Sequence, residues 1–290
     1  MAAQMYFGTQ SNMKWIAAPK VGVPLSMGRF TTETDFFRGA SGLSQSVAGT
    51  KRYEFDFGLR HAAEIQHLMN VDSGAYGQTV YFLDPFAMQT NVLPIHWSAP
   101  WLAQYGVPNL MGKNKFKQAV TLTTTNTFDY PNYSAVMGAD TGNAAWLPAE
   151  SLTLWIPVPL GYTFHFGAHS NNTGANAVYV GITPDGGAEA VPTLLANNVA
   201  TLTNYTYTPG VNSGVTLKLN GNPASTSYLS GLVAQILPVG QAAPTGSFIA
   251  GRGHSGCRIV GGVQELGSSA TLDREQYTAI VKEFGNWADD

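Results

Sequence analysis

At 290 residues, with 44% apolar and only 11% charged residues, the chain is long enough for more than one hydrophobic core and poor in the charges that keep an isolated monomer soluble. Its net charge of −3 excludes a basic field able to track nucleic acid, and no run reaches the ~18 apolar residues of a membrane-spanning helix. The single cysteine, Cys257, excludes an intrachain disulfide and fits folding in a reducing cytoplasm.

With few charges, the polar surface must come from Thr, Asn and Ser, which crowd the second half. That composition suits a protein whose faces are largely covered by neighbouring subunits. Residues Met1 to Gly8 lack the basic-then-apolar pattern of a secretory leader. Lys113, Lys115 and Lys117 are too short a basic cluster for nucleic acid and read as a solvated linker.

The chain opens on short extended pieces, Met5 to Gly8, Lys14 to Ala17, Met27 to Thr31 and Glu33 to Arg38, punctuated by Gly22, Pro24 and Gly28. The clearest strand is Arg52 to Leu59. There Tyr53, Phe55, Phe57 and Leu59 alternate with Arg52, Glu54, Asp56 and Gly58, a period that puts the large apolar side chains on one buried face. A helix follows from Ala62 to Val71, with Ala62, Ile65, Leu68 and Met69 as its apolar stripe and Gly74 able to take the left-handed conformation beyond its end. Thr79 to Leu83 reads as a strand. Asp84 to Trp101, rich in proline and aromatics, reads as a contact-making loop, and Gly112 to Lys117 as a linker.

Beyond the linker, strand signals recur with turns between them: Ser151 to Ile156, Tyr162 to Ala168, Ala177 to Thr183, Thr201 to Thr208, Val215 to Asn220 and Ser227 to Leu237. Near the C-terminus, Tyr277, Ile280, Val281 and Phe284 have helical spacing, while Thr278, Ile280 and Val281 also suit a strand. Periodicity alone favours helix.

Chemistry-bearing patterns are few. Gly251 to Gly256 matches G-x-G-x-x-G, but a strand-like Cys257-Arg258-Ile259-Val260 follows where a dinucleotide site needs a helix. His165 and His169 stand four apart in an extended run, which separates them by about 13 Å, too far for one metal ion. Glu64 and His67 form one E-x-x-H, and a di-metal carboxylate site needs two on separate helices with further glutamates. Cys257 and His254, three apart along a strand, would face opposite ways. No catalytic residue, metal ligand or cofactor is assigned, and the chain reads as a non-enzyme. Trp97, Trp101, Trp146 and Trp155 could stack on glycan, or anchor the core or an interface; the second reading is favoured.

Three stretches carry a family resemblance. Val80-Tyr81-Phe82-Leu83-Asp84-Pro85-Phe86-Ala87-Met88-Gln89-Thr90-Asn91-Val92-Leu93-Pro94-Ile95-His96-Trp97-Ser98-Ala99-Pro100 holds a D-P-[FY]-A…T-N-[LV]-L-P…H-W block. Tyr6-Phe7-Gly8-Thr9 with Trp15-Ile16-Ala17-Ala18-Pro19 forms the second. Leu229 to Gly240, together with Gly253-His254-Ser255-Gly256-Cys257-Arg258, forms the third. In these the chain resembles minor tail proteins of long-tailed phages of actinobacteria, of the distal tail type, over nearly its full length. It departs from them in the lysine-bearing segment after Gly112 and in Asp273-Arg274-Glu275-Gln276.

The resemblance implies an all-β chain of two β-sandwich domains. The N-terminal one (1–112) would carry one short helix, and the C-terminal one (113–290) would be jelly-roll or galectin-like. Copies would form a hexameric ring in the virion tail tip, assembled in the host cytoplasm. Partners would be the tail tube, tape-measure and tail hub or tip proteins, with host cell-wall glycan as an alternative ligand of the outer domain. The resemblance also turns the C-terminal segment, which closes on Gly285-Asn286-Trp287, from helix to strand.

Overall fold

A computed structural model of the chain describes residues 4–19, 25–35, 41–98, 116–122, 133–137, 152–170, 179–190, 205–220, 227–242, 251–269 and 274–283. These form mostly strands, paired antiparallel in three sheets. The all-β expectation is met at that level.

The largest sheet has seven strands. A hairpin of β1 (Gln4–Thr9) and β2 (Asn12–Ala17) forms one edge, and a second hairpin of β3 (Leu25–Asp35) and β4 (Ser41–Arg60) forms the other. Between them lie β5 (Val80–Leu83) and two strands from the end of the chain, β14 (Cys257–Ser269) and β15 (Arg274–Glu283). In the expected division, β14 and β15 fall within 113–290; they pair with each other, and beyond that β15 pairs with β4 and Cys257 of β14 with Val80 of β5, both strands of 1–112. The helical periodicity of the C-terminal segment is overturned. Tyr277, Ala279, Val281 and Glu283 are buried at every second position, because β15 lies flat between β4 and β14 with one face on the core.

The alternation in β4 holds. Tyr53, Phe55 and Phe57 are buried, while Arg52 and Glu54 sit exposed in a 3.2 Å ion pair on the other face. Burying each such ring contributes about 1.5–3 kcal/mol. The side chain of Leu59 lies outside the described residues. Gly28, read as a turn residue, stands inside β3 opposite Thr50.

Helix α1 (Ala62–Asp72) forms as expected, and Gly74 beyond it has φ +72. Its buried face is different. His67, Leu68 and Val71 are buried, while Ala62 is exposed and Met69 is 37% exposed. The helix rotates because its polar residues are used inward. His67 Nε2 donates to the Phe7 carbonyl at 2.9 Å, and Glu64 Oε1 accepts from the Ala17 amide at 2.9 Å.

The segment read as a loop contains helices α2 (Pro85–Thr90) and α3 (Ile95–Ser98). Asp84 caps α2 by accepting from the Phe86 amide at 2.8 Å, and Pro85, with φ already helical and no amide hydrogen to lose, opens it.

The other two sheets are β10 (Tyr179–Pro184), β12 (Ser213–Asn220) and β8 (Leu152–Val158), and β11 (Tyr205–Tyr207), β9 (Tyr162–Ser170), β13 (Ser227–Pro238), β7 (Tyr133–Met137) and β6 (Phe116–Leu122). Phe116 and Lys117 of the expected linker begin β6; Gly112 to Lys115 lie outside the described residues. One core joins α1 to the inner face of the large sheet through Phe7, Phe55, Phe57, Leu68 and Val281. A second runs from Tyr6, Leu83, Leu93 and Trp97 into Leu154, Phe164, Val215 and Ile236. Strands β1 and β5 therefore serve both cores, one from each face.

Candidate functional site

The residues that carried most sequence signal converge on one junction. It forms where the α2–α3 connection, the Gly251–Gly256 segment and strand β13 meet. Its organising residue is Asn91, which is fully buried. The Asn91 amide nitrogen donates to Leu232 O at 3.0 Å, and its amide oxygen accepts from Ala234 N at 3.1 Å and Leu93 N at 3.2 Å. The adjacent Val92 amide donates to Ala234 O at 2.9 Å. Asn91 and Val92 thus occupy the edge of β13 as a short strand would, satisfying backbone groups that would otherwise be buried unpaired.

Gly251-Arg252-Gly253 lies along the other side of the same connection. Arg252 N donates to Asn91 O and Gly253 N to Leu93 O, each at 3.0 Å, and Gly251 N donates to Ser98 Oγ at 2.7 Å. A Cβ on Gly253 would overlap the Val92 carbonyl oxygen. One on Gly251 would overlap the Leu93 carbonyl and stand 2.8 Å from Pro94 O and Ser98 Oγ. The spaced glycines are required for backbone-to-backbone contact, and strand β14, not a helix, follows them. A dinucleotide cradle is not built.

His254 is buried and both ring nitrogens are engaged. Nδ1 accepts from Gly256 N at 3.2 Å, so Nε2 carries the proton and donates to the Phe82 carbonyl at 3.0 Å. Burial, with a smaller contribution from the Lys51 charge, pushes its pKa down to about 3 against the opposing pull of that carbonyl. The ring stacks on Phe82 with centroids 4.2 Å apart. It is a neutral cross-link and holds no lone pair for Cys257. That thiol is fully buried, and burial, reinforced by Glu283, pushes its pKa well up, so it is not a nucleophile in the folded chain. The two residues do not share a strand, since β14 begins at Cys257.

Across the inner face of the large sheet, Cys257 pairs with Val80 on one side and Glu283 on the other. One step beyond the Arg52–Lys282 pair, Lys51 of β4 stands level with Glu283. Both charges are buried, Lys51 at 5% and Glu283 at 6% exposure. They grip the same segment: Lys51 Nζ donates to the Gly253 carbonyl, while Glu283 Oε1 accepts from Ser255 N at 3.0 Å and Ser255 Oγ at 3.3 Å. Burial lowers the pKa of Lys51, and the Glu283 carboxylate opposes that shift.

A cavity of about 20 Å³ opens beside this junction, between Tyr81, Leu83, Asp84, Trp155, Pro157 and Arg252. It holds about one water molecule, where a small-molecule site needs hundreds of Å³. Trp155 is 8% exposed, packs edge-on to Tyr81 and donates from Nε1 to Asp185 at 3.1 Å. Trp97 is 4% exposed within the second core. Neither ring offers a free face for a sugar, and Trp101 and Trp146 lie outside the described residues.

Glu64 and His67 are spent on the Ala17 amide and the Phe7 carbonyl. His165 and His169 lie on the single extended strand β9, as the sequence implied. No group of potential metal ligands forms among the described residues, and no helix among them is long and apolar enough to cross a membrane. Sequence reasoning missed Asn91 and the Lys51–Glu283 pair; Thr90-Asn91, within the block that carries the family resemblance, was the available signal for the first. No protein-family model matches the chain, and no curated protein matches it significantly.

Proposed function

We propose that the chain is a structural, non-catalytic protein of a phage tail tip. Its copies assemble head to tail into a ring, hexameric by the resemblance described above, that joins the tail tube to the tip and host-recognition proteins. The observation that carries this reading is the ribbon formed by the outer parts of β3 and β4. Among the described residues, strand β15 pairs with β4 only as far as Arg52. From Lys51 to Ser41, β4 pairs with β3 alone, through partners running from Met27↔Lys51 to Asp35↔Ser41. Among the described residues no third strand joins this part.

At about 3.4 Å per residue, the eight steps of β3 from Met27 to Asp35 carry the ribbon roughly 27 Å past the sheet, with the extra β4 residues taken up in a bulge between Arg29 and Thr31. A two-stranded ribbon alone in water is marginally stable, and its open edge invites pairing. In a chain with 11% charged residues, a second copy is the surface on which such an arm can lie. An arm on one side and its receptor elsewhere on the same chain make a heterologous contact, which closes into a ring when the rotation permits.

A cluster of apolar turns adds support. Leu160, Val211 and Val239 are 55%, 69% and 57% exposed. Their turns are tied together by Val239 N to Gly161 O at 2.9 Å and Leu160 N to Asn212 Oδ1 at 3.0 Å. Clustered exposed aliphatics of this kind mark contact surfaces. Replacing residues 28–50 by an Asn-Gly turn tests the proposal. The shortened chain should fold and sediment as a monomer where the full chain assembles. Identical assembly of the two would remove the arm from the account.

A further inference from the structure

The arm leaves the sheet at a particular residue. Lys51 is the last position of β4 level with β15, and its side chain is one of the few buried charges among the described residues. A strand that continues beyond its sheet needs its direction fixed at the point of departure, and among the described residues no third strand pairs with it further out. Three contacts meet at this root. Lys51 Nζ donates to Gly253 O, Glu283 at the end of β15 holds Ser255 by its amide and hydroxyl, and Gly253 is pressed against the Val92 backbone. The arm root is therefore tied through Lys51 to the same segment that docks on the α2–α3 connection.

We infer that Lys51 is the positioning residue of the arm: with Glu283 it clamps the Gly253–Ser255 segment from two adjacent strands and so sets the direction in which the β3–β4 ribbon projects. This rests on the assembly reading above. The buried pair is costly as a stability device, because two apolar residues of similar volume would fill the space without desolvating charge. Its use is directional. The ammonium reaches a single carbonyl on a glycine whose position is fixed by close packing, so a small change in the docked segment moves the base of a long lever.

The test compares wild type with Lys51→Met by two readouts. In hydrogen exchange on dilute wild type, the amides of Arg52 and Tyr53 should be protected like those of Phe55 and Phe57, and at least tenfold more than those of residues 41–48. In Lys51→Met, the protection of residues 51–53 and 253–255 should fall at least tenfold while Phe55 and Phe57 keep theirs. The concentration needed for assembly should rise at least tenfold. Should Lys51→Met fail to fold, Lys51→Met with Glu283→Gln removes both charges and takes its place. A root that exchanges as fast as the outer arm in wild type overturns the inference, as does a variant that assembles at the wild-type concentration. If wild type never assembles, the ring proposal fails, and the exchange comparison still decides the role of Lys51.

Discussion

Removing the Asn91 side chain amide is the sharpest perturbation of the junction. Asn91→Ala leaves the Leu232 carbonyl, the Ala234 amide and the Leu93 amide without the partners now found at 3.0, 3.1 and 3.2 Å. All lie beside a fully buried position, where water cannot replace the lost bonds without opening the contact. Each buried group left unpaired costs about 1–3 kcal/mol, and partial relaxation puts the sum near the lower end, at about 3 kcal/mol. Asn91→Asp should cost at least as much, because it keeps the acceptor but buries a charge facing the Leu232 carbonyl. The assay is urea denaturation followed by tryptophan fluorescence, with Trp97 and Trp155 reporting from the second core. With an m-value near 3 kcal/mol/M, the midpoint should drop by about 1 M at unchanged slope. A loss below about 1 kcal/mol would refute the claim that Asn91 holds the connection to β13.

Three further outcomes follow from the same geometry. Gly253→Ala should destabilise by about 3 kcal/mol or more through its clash with the Val92 carbonyl, whereas Gly267→Ala, with open space around its Cβ, should stay within about 0.5 kcal/mol; thermal melts of the two decide it. His254 has a folded pKa near 3, below its unfolded value of about 6.5, so it stabilises fully above pH 6.5 and less as pH falls towards 3, by about 1.4 kcal/mol per pH unit. Between pH 6.5 and 5 the wild type should lose stability more steeply than His254→Gln in denaturant titrations. Cys257 should resist thiol reagents in the folded chain and react at the rate of unfolding, as followed by absorbance of the released thiolate.

The sequence exposed what its own neighbourhood determines. Tyr53, Phe55 and Phe57 announce their strand because one face of β4 meets the core. Ser41 to Thr50, of the same strand, gave no such signal, because Leu43, Val47 and Ala48 are too few apolar residues among serines and glycines to show a period of two. The helix was found but turned the wrong way, because His67 was counted as polar when a hydrogen bond to Phe7 O lets it be buried. Asp84 and Pro85 carried a readable helix start that the density of prolines obscured. What could not be read is pairing at long range. Cys257 meets Val80, Glu283 meets the level of Lys51, and Asn91 meets Leu232 across well over a hundred residues. The glycines at 251 and 253, read from the sequence only as a dinucleotide-like pattern in the wrong context, serve a backbone-to-backbone approach that depends on the distant Val92 and Leu93.

Native mass spectrometry of the full chain over a range of micromolar concentrations weighs the central claim most directly. Assembly through the arm predicts one closed species of fixed copy number, six by the resemblance, with little between it and the free chain. A single free chain at every concentration, or a ladder of open oligomers without a preferred size, would contradict it.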